Sequence, residues 1–207
     1  MKRRAGVLLC GCGAYDGTDP HEAILAMLSL QEAGLEVVPL ALDGPQFHSV
    51  DHTTALEQEG APRAMLVESA RLVRGKLYSL QEISPKLLEL LIIPGGQGPV
   101  KSLLSGFSSR DDRRLNPEVE AFLLGVHQAG GVLGAISLAE FVVSAALGPW
   151  PGEKGCFDLA PEEVLVDRKM RRVLTPGHTV ATSLPQLAQG IRNLIGAMLA
   201  LLDEKAL

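Results

Sequence analysis

Ser137 stands at the junction of two unlike runs. An apolar stretch, Val132 to Ile136, stops there, and a helix-forming stretch, Leu138 to Leu147, begins with no linker between. A polar residue at so abrupt a strand-to-helix switch is the pattern of a nucleophile elbow, a tight turn that needs small residues two places either side. Here those residues are Ala135 and Ala139, where the stricter pattern has glycine. Such a turn lifts the Ser137 hydroxyl off the sheet edge. It also aims the Leu138 amide, at a helix N-terminus, toward developing negative charge. The same letters equally describe a buried strand, a serine cap and an ordinary helix.

Other stretches could converge on this residue. GCGAYDGTDPHE, residues 11–22, follows a strand candidate at 5–9, and its glycines permit close backbone approach. Its spacing is neither GxGxxG nor a Walker A, so no nucleotide cofactor is expected. Asp19-Pro20 then opens a helix, with Thr18 or Asp19 as cap and Pro20 at the first position. His21 and Glu22 fall in its first turn, at the carboxyl edge of the first strand, the usual ligand side of an open α/β sheet. Glu22 is explained either by the helix dipole or as a carboxylate facing the site. Pro94-Gly95-Gly96-Gln97-Gly98 follows the strand Leu90 to Ile93; its glycines let amides point into a cleft, or form a plain turn. Thr175-Pro176-Gly177-His178 ends another strand at the same edge. His48, Asp51 and His52 would need a third ligand in register and a helix to hold a metal; Pro45 argues for loop hydrogen bonding instead, and no metal site is expected.

The elements that must position these groups alternate. Strands are expected at 5–9, 35–40, 90–93 and 132–136, with a short strand or hairpin arm at 76–80 and a hairpin or two short strands from Val164–Val166 and Val173–Leu174. Helices are expected from Asp19-Pro20 to Gly34, over 63–73, from Pro117 to Gly130, from Leu138 to Leu147 and over about 184–203, with a short one at 84–89. Residues 105–115 are polar and 148–155 form a loop. This order predicts one α/β domain over 1–207 with a doubly wound, mostly parallel sheet flanked by helices.

Bulk properties exclude several classes. The 207 residues are 46% hydrophobic and 21% charged, enough for a full core, and aromatics at 4% leave Leu, Val, Ile and Ala to fill it. Net charge is −5 with no basic stripe, which argues against nucleic acid. The Arg171-Arg172 pair and Lys2, Arg3 and Arg4 read as solvated ends. The N-terminal apolar run, Ala5 to Leu9, is shorter than a signal peptide needs, and no run approaches a membrane span, so a cytoplasmic protein is expected. Cys10, Cys12 and Cys156 suit neither a disulfide framework nor a zinc site.

Taken together, GCGAYDGTDPHEA (11–23), DHT (51–53), ESARLVRGK (68–76), IPGGQGPVKSL (93–103), HQAGGVLG (127–134) and TP (175–176) resemble the ElbB family. That family is isoprenoid-biosynthesis-associated and glyoxalase-like, within the ThiJ/PfpI superfamily of flavodoxin-like, class I glutamine-amidotransferase-like folds. The resemblance covers most of residues 5–200. It implies a nucleophile at the elbow, a Glu at the first helix start and backbone donors from the PGG loop and the elbow. Ser137, Glu22, Gly95, Gly96 and Leu138 fall on those positions, and Gly13 and Asp16 of the first motif join them as substrate-binding candidates. A homodimer is implied as well.

Two departures matter. The family has Cys where this chain has Ser137, and a serine hydroxyl needs an adjacent base where a cysteine ionises readily. Thiol-dependent glyoxalase chemistry should therefore be lost or very slow. Residues 148–163 are also short for the family, which trims one side of the pocket. His178 stands where relatives tend to have an aromatic residue and is the candidate base. No HxE follows the elbow, which argues against true amidotransfer. The expected function is binding of a small carbonyl or amide compound with weak or absent chemistry; the alternative is a non-enzymatic homo-oligomeric binding or regulatory module.

Overall fold

Seven strands form one sheet in a computed structural model that describes residues 2–60, 62–105 and 114–204. In chain order the strands are β1 (Arg4–Leu9), β2 (Glu36–Ala41), β3 (Val50–Asp51), β4 (Leu56–Glu57), β5 (Tyr78–Ser79), β6 (Leu90–Ile93), β7 (Leu104–Ser105), β8 (Arg114–Leu115), β9 (Val132–Ile136), β10 (Leu165–Asp167) and β11 (Arg172–Thr175). The helices are α1 (Pro20–Glu32), α2 (Met65–Leu72), α3 (Gly98–Ser102), α4 (Pro117–Gln128), α5 (Glu140–Leu147) and α6 (Leu184–Asp203). The main sheet runs β10-β11-β9-β6-β1-β2-β5, and β3–β4 and β7–β8 are separate two-residue ribbons. Every pairing in the main sheet is parallel except β10 with β11. This is the doubly wound, mostly parallel sheet that the alternation of elements predicts.

Central strands are covered on both faces, which is why LLII of β6 and VLGAI of β9 are uninterrupted apolar runs. On one face β1, β6 and β9 pack against Ala23, Ala26 and Leu30 of α1 and against Leu187, Ile191, Leu194 and Met198 of α6. On the other they meet Val119, Phe122, Leu123 and Val126 of α4 and Val142 and Val143 of α5. The helix starts follow their caps. Asp19 accepts from the amides of His21 and Glu22 with Pro20 in the first turn, Asn116 accepts from Glu118 and Val119, and Ser183 from Gln186. Among the described residues no helix is long and apolar enough to cross a membrane. Of the polar stretch 105–115, residues 106–113 lie outside the described residues.

Arg172 departs from the sequence expectation. It is 1% exposed rather than a solvated end. Its Nε donates to Asp167 Oδ2 at 2.9 Å, its two terminal nitrogens donate to the carbonyls of Gly148 and Pro149, and its guanidinium carbon lies 4.3 Å from the centre of the Trp150 ring. A charge pair in sequence could not reveal this, because the carbonyls and ring come from a segment more than twenty positions away and the acid from the neighbouring strand β10. The contacts fasten the 148–160 segment, whose Trp150, Cys156 and Leu159 are buried, to the edge of the sheet. That segment is held a second way: buried Glu140 of α5 accepts from the Cys156 amide at 2.7 Å.

Removing one partner of a buried pair leaves the other charge uncompensated. Arg172→Ala is expected to cost about 3–5 kcal/mol in urea unfolding. The double change Asp167→Asn with Arg172→Met should recover part of that loss, since neither charge is then left alone.

Candidate functional site

The chain reverses at Ser137 with φ 57°, the left-handed region, between the end of β9 and a single 3-10 turn over Ser137–Ala139 that leads into α5. A serine held there costs on the order of 1–3 kcal/mol of backbone strain. The turn closes because Ala135 and Ala139 are small, and both are fully buried. The abrupt strand-to-helix switch at Ser137 is thus a tight reversal of the backbone. The hydroxyl it presents lies deeper than a cleft residue: Ser137 is 4% exposed, so the site is a closed niche. The segments that follow β6 and β11 pack against this turn.

Glu22 is the centre of that niche. It sits in the first turn of α1, fully buried, because the Asp19 cap and Pro20 start the helix at the carboxyl end of β1. Its Oε2 accepts from the Gly95 amide at 2.7 Å and its Oε1 from the His178 amide at 2.8 Å. Gly95 separates it from the elbow. A side chain there would begin 2.6 Å from Ser137 Cβ, 2.7 Å from Glu22 Oε2 and 2.8 Å from Ile136 O, so only glycine fits. Gly177, at φ 56°, is constrained in the same way, since a Cβ would strike Glu22 Oε1 and Ile136. Sequence reading placed Gly177 at the site edge without a role; a glycine beside a strand end is too common a signal to mark a contact with a buried acid.

The PGG loop is fixed against the first glycine loop. Asp19 N donates to Gly95 O, Gln97 N to Ala14 O and Gly98 N to Gly17 O, all at 2.8–2.9 Å. Gly96, at φ 89°, leaves no room for a side chain against Asp19 N and Gly17 O. Of the expected oxyanion donors, Gly95 is a correction: its amide is taken by Glu22 and cannot serve a ligand. The Gly96 amide makes no hydrogen bond among the described residues. Leu138 is second in a helical turn, where an amide has no intrahelical acceptor.

Gly13 and Asp16 shape the loop from the other side. Gly13 N donates to Thr18 O at 2.9 Å, and Asp16, fully buried, accepts from Val50 N through Oδ2 at 2.8 Å. Their near neighbour is His52 of the β3–β4 ribbon. His48 and His52 engage in loop hydrogen bonding as expected: His48 Nδ1 meets Glu57 at 2.6 Å, and His52 Nε2 accepts from the Tyr15 amide at 3.2 Å.

His178 reaches Glu22 through its backbone, while its ring turns outward. Its Nε2 lies 3.3 Å from Nδ1 of His21, and both rings are exposed. Among the described residues the Ser137 hydroxyl takes part in no hydrogen bond, with His178 or otherwise. The pairing of His21 with His178, 157 positions apart, has no local signal in the sequence.

Burial drives the electrostatics. Desolvation pushes the Glu22 carboxyl up to about 8; the charge of Asp19 adds to the rise, and the two backbone hydrogen bonds oppose it without cancelling it. Near neutral pH the group is mainly a neutral acid. A carboxylic acid still accepts on both oxygens while its hydroxyl donates, so it keeps both amide bonds and has a proton to offer a ligand beside Ser137. Proton donation from a group titrating near working pH is the condition for general acid catalysis.

Two curated relatives align with nearly the whole chain. The Homo sapiens glutamine amidotransferase-like class 1 domain-containing protein 3, mitochondrial, is 34% identical over 223 residues, covering 96% of this chain and 83% of the relative. The Rattus norvegicus ES1 protein homolog, mitochondrial, is 32% identical over 225 residues, covering 97% and 84%. Among solved structures, an isoprenoid biosynthesis protein with an amidotransferase-like domain from Ehrlichia chaffeensis superposes with a TM-score of 0.86 at 28% identity, over 95% of this chain and 99% of that one. No protein-family model matches the chain.

The Glu22 shift has a defined consequence for stability. Between the ordinary value of 4.5 and about 8, the folded chain holds a proton that the unfolded chain has lost. This contribution is therefore complete below about pH 4.5 and is lost as pH rises toward 8, with a slope of up to about 1.4 kcal/mol per pH unit. Glu22→Gln should flatten that slope in urea unfolding from pH 5 to 9. It should also cost about 1–3 kcal/mol throughout, because the new NH2 must face a backbone N–H. A variant with the wild-type slope would assign the effect to another group.

Proposed function

Starting from a chain that belongs to the glutamine amidotransferase-like class 1 domain family of ES1 proteins, we propose that it binds a small carbonyl or amide compound between Ser137 and Glu22, with glyoxalase- or hydrolase-type chemistry weak or absent. The observation that carries this reading is the strained Ser137 turn set beside a buried acid, with no imidazole among the described residues hydrogen-bonded to the hydroxyl. The carbonyl oxygen accepts hydrogen bonds from the neutral Glu22 carboxyl, which keeps its proton, and from the Leu138 amide, with the Gly96 amide as a further candidate donor. The carbonyl carbon then rests against Ser137 Oγ. Attack stalls there, since Ser137 must lose a proton and neutral Glu22 has no means of accepting it. A thiol at the same place would ionise far more readily. Ser137 is buried and Glu22 fully so, and such a site suits a compound of few heavy atoms.

A second reading, a non-enzymatic homo-oligomeric binding or regulatory module, draws on the low exposure of Ser137 and the free cysteines, which also fit a reducing compartment such as the cytoplasm. In that case the niche is a remnant and a homodimer surface carries the function.

Incubation with methylglyoxal or glyoxal separates these readings. The wild-type chain is expected to form lactate or glycolate slowly or not at all, and Ser137→Cys to gain turnover by at least about tenfold, since a thiol ionises far more readily than a hydroxyl. Ser137→Ala should lose whatever the wild type shows. Product formation unaffected by Ser137→Ala would remove the elbow from any mechanism, and turnover dependent on both Ser137 and Glu22 would end the non-enzymatic reading.

A further inference from the structure

At the rim of the niche, two loops bring together side chains that the Ser137–Glu22 chemistry does not use. His21 lies in the first turn of α1 and His178 in the one-turn helix after β11. Their facing nitrogens, His21 Nδ1 and His178 Nε2, are 3.3 Å apart, with ring planes inclined at 50°. Asp19 joins them: one ligand atom from each of the three residues lies within 4.8 Å of the other two.

Two neutral imidazoles at that separation can share one proton. They can also each carry the proton on the remote nitrogen and turn two lone pairs toward a common point. The distance favours the second use. With metal–nitrogen bonds of about 2.0–2.1 Å, the edge of a tetrahedron of ligands is about 3.3–3.4 Å. The nitrogens are thus spaced as two vertices around an ion they share. The outer limit of 4.8 Å to the third group exceeds that edge, so closure needs the two exposed rings to swing toward Asp19.

Asp19 is itself 7% exposed and fixed. Its Oδ1 accepts from the amides of His21 at 2.9 Å and Glu22 at 3.1 Å. Oδ2 makes no hydrogen bond among the described residues and remains for an ion. The positive end of α1 faces the same place, and the carboxylate that caps it offsets that charge.

We propose that Asp19, His21 and His178 form a mononuclear site for a borderline divalent transition ion, Zn²⁺ in particular. Two imidazole nitrogens and one carboxylate oxygen suit Zn²⁺ and its neighbours better than Mg²⁺ or Ca²⁺. Three protein ligands leave a fourth tetrahedral position open to water or a small oxygen ligand, the arrangement of catalytic rather than structural zinc. The site adjoins Glu22, because the backbone amide of His178 donates to that carboxyl.

The test is zinc binding by the full chain after chelator treatment and desalting, followed by calorimetry with ZnCl₂ and by the visible spectrum with Co²⁺. One ion per chain is expected, with the intense absorption of tetrahedral Co²⁺. Loss of an outer partner of a metal ligand lowers affinity by about 10–100-fold, so loss of a ligand itself should reach about 100-fold or more. His178→Phe removes one nitrogen at an exposed position. Asp19→Asn keeps a capping oxygen and removes the charge. Both should weaken Zn²⁺ by that factor and abolish the Co²⁺ spectrum, with thermal melts confirming that the metal-free variants are folded. No stoichiometric binding to wild type, or equal binding by folded variants, would overturn the site. Because the titration reads no turnover, it stands or falls separately from the carbonyl-binding proposal.

Discussion

A carboxyl group shut away from water accepts hydrogen bonds from two amides that belong to different loops. One amide, of Gly95, follows the strand at the centre of the sheet; the other, of His178, follows the strand beside the elbow. Glu22 thereby ties the start of α1 to the ends of β6 and β11, directly over the turn at Ser137. The glycines around it are consequences of this one group. Gly95 and Gly177 have no space for a methyl because the Glu22 oxygens and the elbow backbone already occupy it. The same closeness that forbids side chains removes solvent, and removal of solvent is what raises the carboxyl to about 8.

That interaction changes what the elbow can do. An amide expected to stabilise a ligand is used up in holding the acid, and the acid is held in the form that gives a proton rather than takes one. Strain at Ser137 persists because the surrounding loops over-determine it. Under the proposed function, a carbonyl group would be polarised there, while among the described residues no base is hydrogen-bonded to the hydroxyl. A serine rather than a thiol at position 137 and a buried, neutral Glu22 act in the same direction.

The short segment after α5 has a part in this. Arg172 and Glu140, both buried, fasten it from two sides, one to Asp167, Trp150 and two carbonyls, the other to the Cys156 amide. It adjoins the turn that carries Gly177 and His178, so its packing helps fix the loop that supplies the second amide to Glu22. Shortness relative to the family need not open the niche: the segment folds down on the sheet edge, and Ser137 stays covered.

Periodicity and capping chemistry determined the fold. Unbroken apolar runs marked the doubly covered strands, Asp19-Pro20 and Pro117 marked helix starts, and the reversal at Ser137 was legible because an apolar run meets a helix-forming run there without a linker. Glu22 was legible too, through its place at the carboxyl edge of the first strand. Partners at long range were not. The burial of Arg172 under Gly148–Trp150, the loss of the Gly95 amide to Glu22 and the outward turn of His178 toward His21 all depend on residues brought together from segments tens to more than a hundred positions apart. Local sequence encodes backbone preference, which acts over a few residues. Desolvation, hydrogen-bond competition and side-chain direction are set by whatever the folded chain places alongside, and only the tertiary structure decided those.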